Sequence, residues 1–195
     1  MILYYSPGAC SLSDHIALIE AGMKFDLAKV DLKTHKVDDG RSYLDINPKG
    51  YVPALQFDDG DVLTENIAIL SYVADKYRAL MAPGQFGRYR LLEMLSFISS
   101  EIHKSFGPLF NPATTEKDKA KAFDAIRKRF DFTAARTVGP YLFGEHATVA
   151  DAYLFVMLLW AAKNGIDLPK PLKSLAEHMR ARPTVDIALK QEGLG

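Results

Sequence analysis

The chain has 195 residues, of which 48% are hydrophobic, so it can bury a core in one or two compact domains and is not a disordered protein. Lys and Arg together number 24, as do Asp and Glu, so no excess charge favours nucleic acid or an anionic membrane as a partner. One cysteine precludes an internal disulfide, the N-terminus has no signal-peptide pattern, and the apolar stretch 152–162 is too short to cross a bilayer. We therefore expect a cytoplasmic protein that acts on a small molecule or another protein.

The first 78 residues alternate between short extended runs and helical patterns, which is typical of an α/β layer. The first helix should stop at Gly22, and the strand after it should run parallel to the first strand because a helix connects them. Asp58-Asp59-Gly60 has the composition of a hairpin turn; the later ligands of a calcium-binding loop are missing, so we expect no metal there. The predicted elements are strands over residues 2–5, 25–31, 53–57 and 61–63 and helices over residues 11–21 and 65–77.

The pattern changes after residue 78, where Pro83, Gly84 and Gly87 indicate a linker. Strand signals then nearly vanish, and helical periodicity takes over. We predict an α/β domain over residues 1–78, a linker over 79–87 and an all-helical domain over 88–195. Helices are predicted over residues 88–106, 116–138, 149–162 and 172–182. Thr148 and Asp151 form the pattern of a capping box at the start of the third of these helices.

Cys10 follows the first predicted strand and lies just before the first helix. Free backbone amides and the positive end of the helix favour a thiolate over a thiol there, so we expect a reactive cysteine whose pKa lies below the ordinary value. The alternative is a small buried hydrophobic residue, which is the commoner role of a lone cysteine.

The stretch 47–55 is the most specific in the chain, because it puts Val52-Pro53 at the entry to a strand, where a proline cannot donate to the sheet. If the peptide bond is cis, the chain turns sharply and leaves the amide and carbonyl of Val52 free to pair with an extended ligand backbone. A trans proline that opens an edge strand fits the sequence equally well.

Thr64-Glu65-Asn66 opens the next helix. Glu65 supplies a carboxylate, while Asn66 and the amides at the helix end can receive an anion, so the site suits a zwitterion. The alternative is an ordinary helix start with an acidic first turn.

Taken together, these motifs resemble the bacterial beta-class glutathione S-transferases, and the resemblance extends from end to end of the chain. The matching segments are residues 4–12, 47–55, 64–66, 99–104, 148–153 and 181–194. The resemblance implies a thioredoxin-like N-terminal domain that holds glutathione, an all-helical C-terminal domain that shapes a pocket for the second substrate, and a homodimer.

The resemblance also implies roles for individual residues. Cys10 would lie against the glutathione sulfur and form a mixed disulfide with it, and His103 would reach the sulfur from the helical domain. Val52 would pair with the cysteinyl backbone, while Glu65 and Asn66 would hold the γ-glutamyl end. Glutathione is the expected co-substrate, without a metal. The residues expected around it are Cys10, His35, Val52, Pro53, Glu65, Asn66, Ser96, Ser100 and His103.

Two sets of residues depart from the family pattern. Where the family often has a lysine near the glycyl carboxylate, this chain has His35, with Lys33 and Lys36 as neighbours that can substitute. Ser96 and Ser100 align with polar positions that reach across the dimer to glutathione; their hydroxyls can hydrogen-bond there, with less reach than asparagine.

The expected reaction is attack by a glutathione thiolate on an electrophilic carbon or on a disulfide, as in detoxification. Because Cys10 is itself a thiol, reduction or dehalogenation through a mixed disulfide is an equal expectation. The second substrate should be a small electrophilic or apolar molecule, and Trp160 with the group Phe106, Leu109 and Phe110 can form an apolar wall for it. The alternative function is a binding protein that holds glutathione or apolar ligands without turnover.

Overall fold

The computed structural model describes the whole chain, residues 1–195. Its five strands are β1 (Ile2–Tyr5), β2 (Asp26–Asp31), β3 (Lys36–Val37), β4 (Ala54–Gln56) and β5 (Val62–Thr64). They form one sheet in the order β3-β2-β1-β4-β5. β1 runs parallel to β2 and antiparallel to β4, with Leu3 opposite Leu27 on one side and Leu55 on the other.

Eight α-helices complete the fold: α1 (Leu12–Glu20), α2 (Asn66–Lys76), α3 (Gly87–Phe97), α4 (Gly107–Phe110), α5 (Glu116–Ala134), α6 (Val149–Lys163), α7 (Lys170–Arg180) and α8 (Pro183–Gln191). The first two belong to the sheet domain. The other six form an all-helical domain. A π-helical turn over Ile98–His103 follows α3 directly.

Side chains of β1 alternate between the two faces of the sheet, as the period of a strand requires. Leu3 and Leu55 face the helices and join the main core. Tyr4 and Ala54 face the other way, into a smaller cluster that Tyr43 closes from the loop after β3. Both faces of the central strand are therefore buried, which fixes the position of the loop that leaves its carboxyl end.

The helix α6 is surrounded by other helices, since α1, α2, α3 and α7 all pack against it. Every residue from Val149 to Leu158 is buried. The sequence interpretation of residues 152–162 as a helix inside a globule is therefore confirmed. The largest core of the protein, with 40 buried residues, extends through both domains, so the two domains share one main core. None of the helices combines the length and the apolar character that crossing a bilayer requires.

Most predicted elements are confirmed, but the short strand β3 and the short helix α4 were not predicted, and α5 ends at Ala134 rather than at residue 138. The predicted helix over 88–106 is confirmed in its extent but not in its regularity, because α3 ends at Phe97 and a wider π turn continues the helical course to His103. The helix α8 was not predicted; it begins at Pro183, a residue that suits the first helical position although it often signals a break. The division of the chain at residues 79–87 stays a prediction.

The start of α6 carries the predicted capping interaction. Oδ2 of Asp151 accepts hydrogen bonds from the amide and from the hydroxyl of Thr148, both at 2.7 Å. Oδ1 of Asp151 accepts a third bond from the amide of Leu142 at 2.8 Å. Burial raises the pKa of the Asp151 carboxyl to about 6. This one side chain therefore joins α6 to the loop before it.

We expect Asp151→Ala to lower the free energy of unfolding by about 3 kcal/mol, because two buried amides lose their acceptor. Thr148→Ala keeps the carboxylate in place and should cost only about 1 kcal/mol. Urea unfolding of both variants measures the difference. Equal losses would contradict the dominant role given to the carboxylate.

Candidate active site

A cavity of about 730 Å³ lies between the sheet domain and the helical domain. From the sheet domain it is lined by Cys10, Val52, Pro53, Glu65 and Asn66, among others. From the helical domain the lining residues include Ser99, His103, Tyr153 and Trp160. Six of the nine residues expected around glutathione therefore meet in one cavity, although they come from separate parts of the sequence.

Cys10 lies in the turn between β1 and α1, half-buried at the floor of the cavity. Its carbonyl accepts a hydrogen bond of 2.7 Å from the hydroxyl of Ser13. Its Sγ donates to the carbonyl of Val52 at 3.6 Å. The thiol therefore points to the residue that was expected to pair with the ligand backbone.

The prediction of a low pKa for Cys10 is wrong for the ligand-free protein. Burial, with a smaller contribution from the nearby carboxyl of Asp14, raises the pKa of the Cys10 thiol to about 12. The amides of Cys10 and Ser11 act in the opposite direction. Sequence position revealed these amides but not the loss of water around the sulfur, and that loss is the larger effect.

We expect the alkylation rate of Cys10 to rise about tenfold per pH unit between about pH 7 and pH 10 without a plateau, because only the thiolate reacts. Cys10 is the only cysteine, so labelling by iodoacetamide reports on it alone, with Cys10→Ser as the blank. A plateau that begins below about pH 9 would contradict the high pKa.

The peptide bond between Val52 and Pro53 is cis, which answers the question that the sequence left open. Both residues are buried. The carbonyl before them, on Tyr51, accepts bonds from the hydroxyl of Tyr43 at 3.0 Å and from Nδ2 of Asn47 at 2.8 Å. The amide of Val52 has no main-chain acceptor. The main chain before Val52 is thus held by the two hydrogen bonds to the Tyr51 carbonyl, and the amide of Val52, a cavity-lining residue, is free to donate.

Glu65 precedes the first residue of α2 and has a left-handed φ of 75°. Its Oε1 accepts a bond of 2.5 Å from Nζ of Lys49 and one of 2.8 Å from the hydroxyl of Tyr51. These two donors lower the pKa of the Glu65 carboxyl, so it stays ionised. Because the exposed carboxylate of Glu65 already binds the ammonium group of Lys49, it is also a suitable partner for the ammonium group of a ligand.

Asn66 is buried at the start of α2, and its Nδ2 donates to the hydroxyl of Ser13 at 2.8 Å. Because that hydroxyl donates in turn to the carbonyl of Cys10, the start of α2 is connected to the Cys10 turn. The side chain of Asn66 is therefore already engaged inside the protein. Asn66 also lines the cavity, where the main-chain amides at this helix start are able to receive an anion.

His103 ends the π turn and is half-buried at the cavity wall. Its Nδ1 lies 2.7 Å from the hydroxyl of Tyr153, and its ring meets Trp160 edge-on, with the centroids 4.9 Å apart. Burial and then the charge of Lys104 lower the pKa of the imidazole, so it is neutral at pH 7. Burial raises the pKa of the Tyr153 phenol, so it keeps its proton and is able to donate that proton to Nδ1. We therefore assign the imidazole proton to Nε2, where it can be donated to a ligand.

The loop before Cys10 is fixed by the C-terminal part of the chain. Nε1 of Trp160 donates to the carbonyl of Gly8 at 2.8 Å, and the amide of Gly8 donates to Glu192 at 2.9 Å. Glu192 also contacts Nδ1 of His15 at 3.0 Å, and both side chains are fully buried. The turn that carries Cys10 therefore depends on helices far away in the sequence.

His35 is not among the residues that line the cavity, and its contact with the glycyl end stays a prediction. Nδ1 of His35 lies 3.1 Å from the carbonyl of Gly50, on a backbone with a left-handed φ of 52°. Lys33 and Lys36 are exposed and also lie outside the lining. None of the three candidates meets the cavity in the single chain.

Ser96 and Ser100 are exposed and lie outside the cavity, and the hydroxyl of Ser100 donates to the carbonyl of Ser96 at 2.8 Å. The serine that lines the cavity is Ser99, which the sequence analysis did not select. A regular helix would group Ser96, Ser100 and His103 on one face. Ser99 also lies on the His103 side because it precedes His103 by four residues, and the π turn that contains both was not indicated by any sequence pattern.

Two family descriptions match the chain. One, the N-terminal domain of glutathione S-transferase, matches residues 9–76. The other, the C-terminal domain of glutathione S-transferase, matches residues 97–183.

Among relatives, the chain is similar to the glutathione S-transferase GstA of Escherichia coli O157:H7, with 42% identity and 100% of each chain covered. Among solved structures, it is similar to a sphingomonad glutathione S-transferase in complex with glutathione, with 46% identity, a TM-score of 0.91 and 100% of each chain covered. A beta-class enzyme of Sphingomonas chungbukensis gives 46% identity and a TM-score of 0.92, again over 100% of each chain. The expected combination of a thioredoxin-like domain and a helical domain is confirmed.

Proposed function

The chain belongs to the glutathione S-transferase family, and we propose that its cavity binds glutathione and directs the glutathione sulfur at a small electrophile. The enzyme is a glutathione transferase by its full-length relatives. The observation that carries the proposal is the meeting of the Cys10 thiol, the Val52 main chain and the Glu65 carboxylate with His103 in one cavity.

In the proposed complex, the two ends of the γ-glutamyl cysteine unit meet different groups. The open amide of Val52 donates to the cysteinyl backbone, as in the pairing of a peptide with a strand edge. The γ-glutamyl ammonium takes the place of Nζ of Lys49 on Glu65, and its carboxylate meets the amides at the start of α2. Binding at Glu65 exchanges one cation for another, so the net gain there is small.

The sulfur of glutathione loses its proton to solvent when it binds between the two domains. The neutral His103 donates from Nε2 to the resulting thiolate, and Cys10 becomes a second donor when its S–H turns from the Val52 carbonyl to that thiolate. The thiolate attacks an electrophilic carbon, a carbon–sulfur bond forms, and the leaving group departs with its electron pair.

A mixed disulfide at Cys10 requires a thiolate at Cys10 first. That thiolate attacks a glutathione disulfide, a new sulfur–sulfur bond forms, and one glutathione leaves as a thiolate. Because the pKa of Cys10 is about 12, this step is slow at neutral pH. We therefore propose conjugation as the main reaction and Cys10-dependent reduction as a side activity that increases with pH.

We also propose that the enzyme is a homodimer that acts in cytoplasmic detoxification. Phe86 and Tyr89 at the start of α3 are 64% and 66% exposed, which gives an apolar surface for a second copy. Ser96 and Ser100 are exposed farther along the same segment, where they could reach glutathione in the partner subunit. Analytical ultracentrifugation tests the dimer directly.

Glu65→Gln should raise the Kd for glutathione about fivefold, which corresponds to about 1 kcal/mol. The effect is modest because the Glu65 side chain is 53% exposed and its charge is screened by water. Turnover at saturating glutathione should be retained, since Glu65 is remote from the sulfur in this arrangement. Isothermal titration and steady-state kinetics separate the two effects; an unchanged Kd would remove Glu65 from the site.

Tyr153→Phe should lower kcat about tenfold, because His103 loses the donor that keeps its proton on Nε2. The phenyl ring preserves the packing of this buried side chain, so the Kd for glutathione should change little. Single-turnover kinetics with a chloronitrobenzene measures the chemical step. If kcat is retained and only the Kd rises, the tautomer assigned to His103 is wrong.

A further inference from the structure

The charged residues of the cavity are divided between its two sides. Glu65 is the only carboxylate among the lining residues, and it belongs to the sheet domain, where Lys49 already neutralises it. The helical domain contributes two cations, Lys163 and Arg180, and no acid. The half of the cavity that would hold the second substrate is therefore positively charged.

Neither of these cations is neutralised by a side chain of the protein. Lys163 ends α6 and Arg180 ends α7, and each is exposed. The ion pairs formed by the neighbouring Arg182 and Lys190 use Glu20 and Asp186, and no carboxylate lies within 4.0 Å of Lys163 or Arg180. Favourable interaction with the helix dipoles accounts for a basic residue at each helix end, but not for both lining the same cavity.

The wall beside these cations is apolar and aromatic. Phe110 meets Trp160 edge-on, with centroids 4.9 Å apart, and Leu159, Leu189 and Leu194 complete this side. Lys163 lies on the same face of α6 as Trp160, about one helical turn or roughly 5 Å further along the axis. His103 contacts the same Trp160 ring, with centroids 4.9 Å apart. The cavity thus brings the proposed sulfur site, an aromatic wall and the two cations together.

We propose that the second substrate is an anionic electrophile, with an apolar or aromatic body that lies against Trp160 and a carboxylate that binds between Lys163 and Arg180. This inference rests on the proposed function, since it assigns the class of acceptor to the same cavity. In the reaction the glutathione thiolate attacks the electrophilic ring carbon, the carbon–sulfur bond forms, and the halide leaves with its electron pair. The carboxylate itself is unchanged and serves for recognition.

The test uses a chlorodinitrobenzoate and the neutral amide of the same ring, so that shape and intrinsic reactivity are closely matched. The measured quantity is the ratio of kcat/KM for the benzoate to kcat/KM for the amide. In Lys163→Gln and in Arg180→Gln this ratio should fall about fivefold, and in the double variant about twentyfold, because each variant removes one charge near the carboxylate. Added salt should also lower this ratio for the unsubstituted protein.

Lys170→Gln is the matched control, since Lys170 is an exposed lysine of α7 that does not line the cavity. If the effect of the cavity cations on the kcat/KM ratio is local, Lys170→Gln removes one positive charge and leaves the ratio unchanged. Equal ratios in the double variant and the unsubstituted protein would overturn the inference. So would a raised Kd for glutathione with an unchanged ratio, which would mean that the two cations hold the glycyl carboxylate instead.

Failure of the proposed function gives a different result. If the unsubstituted protein conjugates neither ring with glutathione, the transferase assignment fails, and the inference is then tested by equilibrium binding of the benzoate alone. Weaker binding of the benzoate to the double variant than to Lys170→Gln would still support the anionic site. Equal binding would contradict it.

Discussion

The site depends on how the turn between β1 and α1 is held. Three distant segments fix it: Asn66 through Ser13, Trp160 through the Gly8 carbonyl, and Glu192 through the Gly8 amide. Within the turn, the hydroxyl of Ser11 accepts a hydrogen bond from the amide of Ser6 and donates to the Ser6 carbonyl. The contacts with Trp160 and Glu192 add support from the helical domain. The single core that extends through both domains supplies the rigidity that these hydrogen bonds require.

This arrangement also determines the charges in the cavity. Packing the Cys10 turn against the helical domain removes water from the sulfur, so Cys10 keeps its proton, and the same burial keeps His103 neutral. Both residues are therefore hydrogen-bond donors at neutral pH. A site built of neutral donors stabilises a thiolate that arrives with the ligand, which agrees with a transferase in which the glutathione sulfur reacts. Lys163 and Arg180, the unpaired cations at the ends of α6 and α7, favour negative charge in the second substrate as well.

The sequence predicted four of the five strands, the parallel pairing of β1 with β2, most helices and six of the residues that line the cavity, because these follow from periodicity and from short motifs. It failed where the outcome depends on tertiary packing. The pKa of Cys10 depends on burial in the folded protein, and no sequence pattern indicated the π turn that contains Ser99. Tyr153 lay in a matching segment, but only the structure brings its hydroxyl to His103.

In the proposed mechanism, the reacting thiolate belongs to glutathione and not to Cys10. Ultraviolet difference absorbance of thiolate, measured against pH for the complex of glutathione with Cys10→Ser, tests this most directly. We expect a thiolate to appear well below the ordinary thiol pKa of about 8.5 in the complex, while the ligand-free unsubstituted protein has none in that range. A thiolate in the ligand-free protein at neutral pH, with no added thiolate when glutathione binds to Cys10→Ser, would contradict the account.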